Sequence, residues 1–102
     1  MSTNQPEHTH YIYQFEIAVP LEDWTEREYD IARQHRQYLE AAHESGRILL
    51  AGRSTDGIGP AIVVFEAKSP EAAEEFLQND PFIENDLMRA TVHPFRATLT
   101  RE

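Results

Sequence analysis

The reactive side chains of this sequence are histidines, carboxylates and hydroxyls, because it contains no cysteine. Disulfides, thiolate metal ligands and a cysteine nucleophile are thereby excluded. His35 is the most informative of the five histidines, since helical periodicity places it near the middle of an apolar stripe. An inward imidazole can act as a general base if a second group fixes its tautomer. A core histidine with one hydrogen bond accounts for the same pattern, and periodicity alone favours that interpretation.

Asp80 is the candidate for the second group. It precedes Pro81, and an aspartate in that position is typical of a helix N-cap or a turn. A capping carboxylate in the loop after the second helix can also accept a hydrogen bond from one ring nitrogen, which leaves the other nitrogen free to take a proton. The sequence does not decide between the capping role and the His35 contact, and one carboxylate can perform both.

The other histidines do not form a recognisable metal site. His8 and His10 lie in a polar segment, His43 falls on the polar side of the first helix, and His93 faces either the core or a dimer interface. Their spacing lacks the helical pair with a glutamate that zinc sites use. The sequence also contains no phosphate-binding loop or complete dinucleotide fingerprint. We therefore expect neither a metal nor a cofactor.

The length and charge of the chain narrow the class of protein. Its 102 residues suffice for one domain with an ordinary core, and its formal net charge is −9. An acidic chain lacks the cationic face that nucleic acids require. No apolar run approaches the roughly 18 residues of a membrane span. We therefore predict a cytoplasmic protein that binds neither nucleic acid nor membrane.

Hydrophobic periodicity and capping residues divide the chain into a flexible arm and one domain. The arm covers residues 1–9 and the domain residues 10–102. Strands are predicted at residues 10–19, 47–52, 61–67 and 88–99, and helices at 24–45, from 70 onward, and in a short turn from 80 to about 87.

This order of elements predicts a ferredoxin-like α+β fold, βαββαβ, with a four-stranded antiparallel sheet. Its two main helices can cover only one face of the sheet. Because the strands carry apolar residues on both faces, a bare second face would be unusual for a monomer. We therefore predict a homodimer that pairs through the sheet face.

Four segments in order resemble the YciI-like family, over residues 11 to 99. They are the His35-x-x-Tyr38-Leu39 helix with its Gly46 stop and the strand to Gly52, the helix Ala67-x-Ser69-x-Glu71-x-Ala73-x-x-Phe76, the Asp80-Pro81-Phe82 tripeptide, and Val92-x-Pro94-Phe95. The family fold is a dimeric α+β barrel of ferredoxin-like subunits. The sequence departs from the family at Arg53, which follows Gly52 where members commonly carry proline.

The resemblance implies a catalytic pair formed by His35 and Asp80, and it favours proton-transfer chemistry. Related barrels include dehydrochlorinases and lactone isomerases. The resulting hypothesis is a cofactor-independent enzyme that acts on a cyclic or aromatic small molecule by elimination, isomerisation or lyase chemistry. Position alone assigns substrate binding to Arg53 and Ser54. The alternative is a non-catalytic dimeric module that binds a small ligand or a protein, with His35 and Asp80 as a structural pair.

Overall fold

A computed structural model of the protein describes residues 10–99. In chain order the elements are β1 (His10–Ile17), α1 (Glu26–Glu44), β2 (Ile48–Arg53), β3 (Ala61–Glu66), α2 (Pro70–Gln78), α3 (Pro81–Glu84) and β4 (Met88–Pro94), with a 3-10 turn at Leu21–Asp23 before α1. The predicted flexible arm, residues 1–9, lies outside the described residues.

The four strands form one antiparallel sheet in the order β2-β3-β1-β4. This is the predicted ferredoxin-like α+β fold, and the prediction is confirmed. The β2–β3 hairpin and the positions of both main helices also agree with the sequence analysis. The core lies between the helices and one face of the sheet, which we call the helix face.

Strand β1 supplies the centre of the helix face. Tyr11, Tyr13 and Phe15 alternate with more exposed residues and join the core. Their cross-strand partners on β3 include Phe65 and Val63, which are also buried. Strict alternation of this kind directs every second side chain toward the helices.

Strands β1 and β4 end well before their predicted ends at residues 19 and 99. Strand β1 ends at Ile17 because the amides of Ala18 and Val19 both donate to the carbonyl of Leu87, at 3.0 and 3.3 Å, and leave the ladder. Strand β4 ends at Pro94 and does not extend to residue 99. The Phe95 amide still donates to the His10 carbonyl at 2.9 Å, but His10 is the first residue of β1, so the pairing of β4 with β1 stops there.

The opposite side of the sheet, the outer face, carries the other alternate residues. Cross-strand register places Leu50, Val64 and Ile12 in one row, and Gly52, Ile62 and Gln14 in the next. None of these residues belongs to the core between sheet and helices. The middle of the outer face is therefore apolar or uncharged, with Leu50 the most exposed apolar side chain of these rows.

An irregularity in β2 changes which residues share a face. Ile48 pairs with Phe65, but Leu50 pairs with Val64, so one extra residue is inserted between them. Such a bulge reverses the side-chain alternation that follows it. Arg53, in register with Ala61, consequently belongs to the helix face.

Helix α1 begins two residues later than predicted, at Glu26, with Thr25 as its N-cap. The Thr25 side chain accepts from the backbone near the helix start, and the Glu28 carboxylate accepts from the Thr25 amide at 2.7 Å. This capping box explains why an acidic residue, Glu28, occupies the apolar stripe of the helix.

Within the described range, no helix is both long and apolar enough to span a membrane.

The capping box predicts a pH-dependent contribution to stability. Hydrogen bonds from Thr25, chiefly from its side chain, lower the pKa of Glu28 to about 2. Because this value lies below that of the unfolded chain, the contribution is present above about pH 5 and is lost as the pH falls toward 2. Glu28→Gln should therefore lower the free energy of unfolding at neutral pH, and its difference from the unaltered protein should narrow with acidification.

Urea unfolding at a series of pH values measures this difference. Glu26→Gln is the matched control, because it removes the same charge from the same helical turn but not the capping hydrogen bonds. An equal pH dependence in both variants would contradict the capping explanation.

Candidate functional site

His35 lies on α1 and turns its ring toward the sheet. The ring stacks on Phe82, with 3.9 Å between centroids and 23° between planes, and meets the ring of Phe15 edge-on at 5.5 Å. Ile31 and Ala42, on the same stripe of the helix, are buried. The His35 side chain keeps 15% of its surface exposed, so it is held by the core without being sealed inside it.

Asp80 connects α2 to α3 and is completely buried. It is the N-cap of α3, and its Oδ1 accepts a 2.9 Å hydrogen bond from the Phe82 amide. Pro81 follows at the first helical position, where the missing N–H costs nothing. A buried carboxylate is stable only when its oxygens are satisfied, and capping meets part of that requirement.

The structure brings His35 and Asp80 into direct contact. The Nδ1 atom of His35 lies 2.8 Å from Oδ1 and 3.0 Å from Oδ2 of Asp80. An ionised carboxylate can only accept hydrogen bonds, so Nδ1 must carry the proton in this contact. The sequence did not decide between capping and contact with the histidine. In the structure the Asp80 carboxylate does both.

The second ring nitrogen of His35 is available for chemistry. Nε2 makes no hydrogen bond to any residue between 10 and 99. Among those residues, the buried side-chain atom that lacks a partner is the Tyr11 hydroxyl, so Nε2 is not sealed from solvent. With Nδ1 protonated, Nε2 carries the lone pair and can accept a proton.

Tyr13 is a member of this site that sequence reasoning missed. Its hydroxyl donates a 3.1 Å hydrogen bond to Oδ2 of Asp80. Burial, reinforced by the neighbouring Asp80 charge, raises the pKa of the Tyr13 phenol well above its ordinary value, so the group remains a donor. Alternation predicts that Tyr13 points inward, but it does not predict where the hydroxyl ends.

Tyr38 connects α1, the helix that carries His35, to α2, the helix that precedes Asp80. Its hydroxyl donates to the backbone carbonyl of Phe76 at 2.8 Å, and its ring stacks on that residue. The Arg47 guanidinium lies over the same Phe76 ring, 4.5 Å from its centroid. Burial, followed by the charge of Asp80, raises the pKa of Tyr38 to about 12. This contact ties α1 to α2 one turn away from His35.

Aromatic side chains continue outward from the His35 ring. Trp24 lies 6.2 Å from Phe82 between centroids, and Tyr29 meets Trp24 edge-on at 5.2 Å. The Trp24 indole donates to the Val19 carbonyl at 2.9 Å, which fixes its orientation. Tyr29 is half exposed. The series forms an apolar wall that leads from the histidine to the surface.

Arg53 and Ser54, predicted to bind substrate, lie at the end of the β2–β3 hairpin. They line a shallow groove of about 270 Å³ with Leu50, Gly52, Pro60 and Ile62, and neither His35 nor Asp80 belongs to its lining. The Ser54 hydroxyl donates to the Pro60 carbonyl at 2.9 Å and closes the loop. The Arg53 guanidinium makes no hydrogen bond or ion pair with residues 10–99.

Cross-strand register relates Arg53 to the histidine. Arg53 pairs with Ala61, and Ala61 pairs with Phe15, whose ring contacts His35. Neighbouring strands are about 4.8 Å apart, so the Arg53 backbone lies about 10 Å from that of Phe15 on the helix face. The Arg53 side chain thus leaves the backbone toward the helix face, in the row of Phe15, while the residue also lines the groove with Leu50 and Ile62 of the outer face.

The remaining histidines lie elsewhere. His43 is exposed on α1, His10 pairs with Glu66 at 3.4 Å, and His93 contacts Thr91 at 3.1 Å on the outer face. His8 lies outside the described residues. Between residues 10 and 99, no group of three or more histidine and carboxylate side chains is placed to hold a metal ion.

The arrangement combines an imidazole that is held at Nδ1 with a buried carboxylate. Such a pair can take a proton at Nε2 while the carboxylate stabilises the imidazolium that results. A structural hydrogen bond between two packed elements would have the same geometry.

Comparison with solved structures finds a similar fold. The 5-chloro-2-hydroxyhydroquinone dehydrochlorinase from Burkholderia phenoliruptrix AC1100, in complex with 2,5-dihydroxybenzoquinone, matches with a TM-score of 0.65 and 20% sequence identity. The match covers 85% of this chain and 93% of that chain. No curated protein sequence matches.

The family assignment rests on the sequence itself. The model of the YCII-related domain matches residues 6–96, which is most of the chain and includes His35, Asp80 and Tyr13. The resemblance drawn from the four sequence segments is thereby confirmed. The chain belongs to the family of YCII-related domains.

Proposed function

We propose that this protein is a cytoplasmic, cofactor-independent enzyme in which His35 is a general base. The observation that carries the proposal is the difference between the two ring nitrogens of His35. Nδ1 is held by the buried Asp80 carboxylate at 2.8 Å, while Nε2 has no partner among the described residues and is not sealed from solvent. A histidine that serves only packing gains nothing from an open second nitrogen.

The reaction that suits this pair is a proton-transfer elimination. His35 Nε2 takes a proton from a carbon or hydroxyl of the substrate, the freed electron pair forms a new double bond, and the leaving group departs with its bonding pair. Asp80 stabilises the imidazolium, which then passes its proton to water. Returning the proton to another substrate atom gives an isomerisation by the same machinery.

A cyclic or aromatic small molecule is the proposed substrate class. The apolar wall of Phe82, Trp24 and Tyr29 beside His35 offers flat aromatic surfaces that suit a planar ring. The structural neighbour, a dehydrochlorinase bound to a dihydroxybenzoquinone, supports this class by analogy of fold.

Arg53 and Ser54 are proposed to bind the substrate. The Arg53 guanidinium is a cation without a partner among residues 10–99, in a protein of net charge −9, so it suits an anionic oxygen such as a phenolate or enolate. Because the Ser54 hydroxyl already donates to Pro60, its role would be to accept a hydrogen bond from the substrate.

The outer face of the sheet is proposed to pair with a second copy of this chain. Its central rows, with Ile12, Leu50, Ile62 and Val64, are apolar. An uncharged centre is what two copies of so acidic a chain need in order to associate, because their net charges repel. A twofold interface also requires one patch to complement itself, which an apolar sheet face does.

A non-catalytic ligand-binding or protein-binding module is the alternative. The contacts of Asp80 favour this alternative, because its carboxylate caps α3 and connects three elements, and both are structural roles. The two functions differ in what remains when the pair is altered but the fold is kept.

For the catalytic proposal, His35→Gln should reduce turnover by about 10²- to 10⁴-fold, since the general base is lost. Asp80→Asn should reduce it by about 10²-fold or more, because an amide favours the wrong tautomer. The assay is a screen of cyclic enols, lactones and chlorinated hydroquinones, with folding checked by circular dichroism. His43→Gln, on the exposed side of the same helix, is the control. Unchanged turnover in a folded His35→Gln variant would refute the proposed base.

The free energy of unfolding shows whether Asp80 stabilises the protein only as the N-cap of α3 or also through its hydrogen bonds with His35 and Tyr13. Asp80→Ala should lower the free energy of unfolding by about 3 kcal/mol, because the buried donors of His35, Tyr13 and Phe82 lose their acceptor. Ser69→Ala, which removes only the N-cap of α2, should cost about 1 kcal/mol. Urea unfolding compares the two variants. Equal costs would mean that Asp80 contributes only a cap.

Analytical ultracentrifugation tests the proposed dimer. The unaltered protein should sediment as a dimer, and Leu50→Glu should dissociate it, because the new charge would be buried at the centre of the interface. Ile58→Glu is the matched control, since Ile58 is 86% exposed in the hairpin loop. A monomeric unaltered protein would contradict the proposal.

A further inference from the structure

Two buried tyrosines of β1 differ in what their hydroxyls meet. Tyr11 and Tyr13 are two residues apart on the same strand face, with 2% and 0% of their surface exposed. The Tyr13 hydroxyl donates to Asp80 Oδ2 at 3.1 Å. The Tyr11 hydroxyl is buried with no partner among residues 10–99. The packing of β1 therefore needs two aromatic rings there, whereas only one hydroxyl has a defined task.

We propose that Tyr13 is a positioning residue of the site, whose buried hydroxyl fixes the Asp80 carboxylate so that it holds His35 with Nδ1 protonated and Nε2 open. Tyr13 acts through Asp80 and does not touch the substrate, because it has no exposed surface. This inference deepens the proposed function, and its catalytic consequence rests on that proposal.

The division of donors between the two carboxylate oxygens supports this role. The Phe82 amide binds Oδ1 at 2.9 Å and the Tyr13 hydroxyl binds Oδ2 at 3.1 Å. His35 Nδ1 lies within 3.0 Å of both oxygens. With one donor on each oxygen, the carboxylate cannot rotate about its own axis without breaking a bond. Without Tyr13, Oδ2 would keep only the histidine.

Tyr13 also moderates how strongly Asp80 attracts a proton onto His35. A donor on Oδ2 takes up part of the carboxylate charge. When it is removed, more of that charge acts on the imidazole, so the ring becomes protonated at a higher pH.

Further titratable groups act on the same region. Tyr38 on α1 interacts with the charge of Asp80, and it also interacts with Arg47, with Glu75 on α2 and with Glu84 on α3. These groups are unchanged by a substitution at Tyr13, so a comparison of variants isolates the effect of the hydroxyl.

The test compares Tyr13→Phe with Tyr11→Phe in the full-length chain. Each variant keeps its ring and loses one buried hydroxyl. Proton–nitrogen NMR of protein labelled at histidine follows the protonation of the His35 ring with pH, and His35→Gln assigns its signals. In Tyr13→Phe the titration midpoint of His35 should move upward by about half to one pH unit, the effect expected of one neutral hydrogen bond. In Tyr11→Phe it should stay in place.

A second measurement covers the case in which Tyr13→Phe does not fold. Incorporation of 3-fluorotyrosine makes the phenol more acidic and hence a stronger donor, so the midpoint should move downward. The same incorporation into Tyr11→Phe and into Tyr38→Phe should give the same displacement, because Tyr38 also interacts with the charge of Asp80. An unmoved midpoint in the fluorinated protein would overturn the inference.

Turnover distinguishes this inference from the proposed function. With a substrate found in the screen, Tyr13→Phe should lower kcat near pH 7 by about threefold to tenfold and leave KM unchanged. A displaced midpoint without turnover of any screened compound supports the positioning role and counts against the enzyme. Lost turnover in His35→Gln together with an unmoved midpoint in Tyr13→Phe supports the enzyme and overturns the positioning role.

Discussion

The structure depends on one buried negative charge and the donors that make its burial possible. Asp80 has no exposed surface, yet its carboxylate is satisfied by an amide from α3, a phenol from β1 and an imidazole from α1. An unpaired carboxylate in that position would be prohibitively costly. The folding of three elements therefore coincides with the assembly of the site, because none of the donors lies on the same element as another.

Periodicity and capping rules predicted most of the fold. The apolar stripe of α1 and the Asp80-Pro81 start of α3 each express a local preference, and local preferences can be recognised in a sequence. The ends of strands were less predictable. Strand β1 stops at Ile17 because the next amides bond to Leu87, a residue 70 positions away that no local pattern reveals.

The site was predictable only in part, for a related physical reason. His35 and Asp80 were identified from an inward helix position, a capping tripeptide and a family resemblance. Tyr13 was not identified, since period-two alternation gives the direction of a side chain but not the partner at its tip. Arg53 and Ser54 were chosen by position, and the Ser54 hydroxyl turned out to close its own loop.

The single inserted residue in β2 determines on which side of the sheet the hairpin presents its cation. Ile48 and Arg53 are five residues apart and would face opposite ways in a regular strand, yet both pair with residues of the helix face. A relative lacking that insertion would carry the guanidinium on the other surface, among the apolar rows. Two related hairpins can therefore each carry an arginine at the end of this strand and still present it on opposite faces of the sheet. Whether the number of residues before the arginine is odd or even decides which face it occupies.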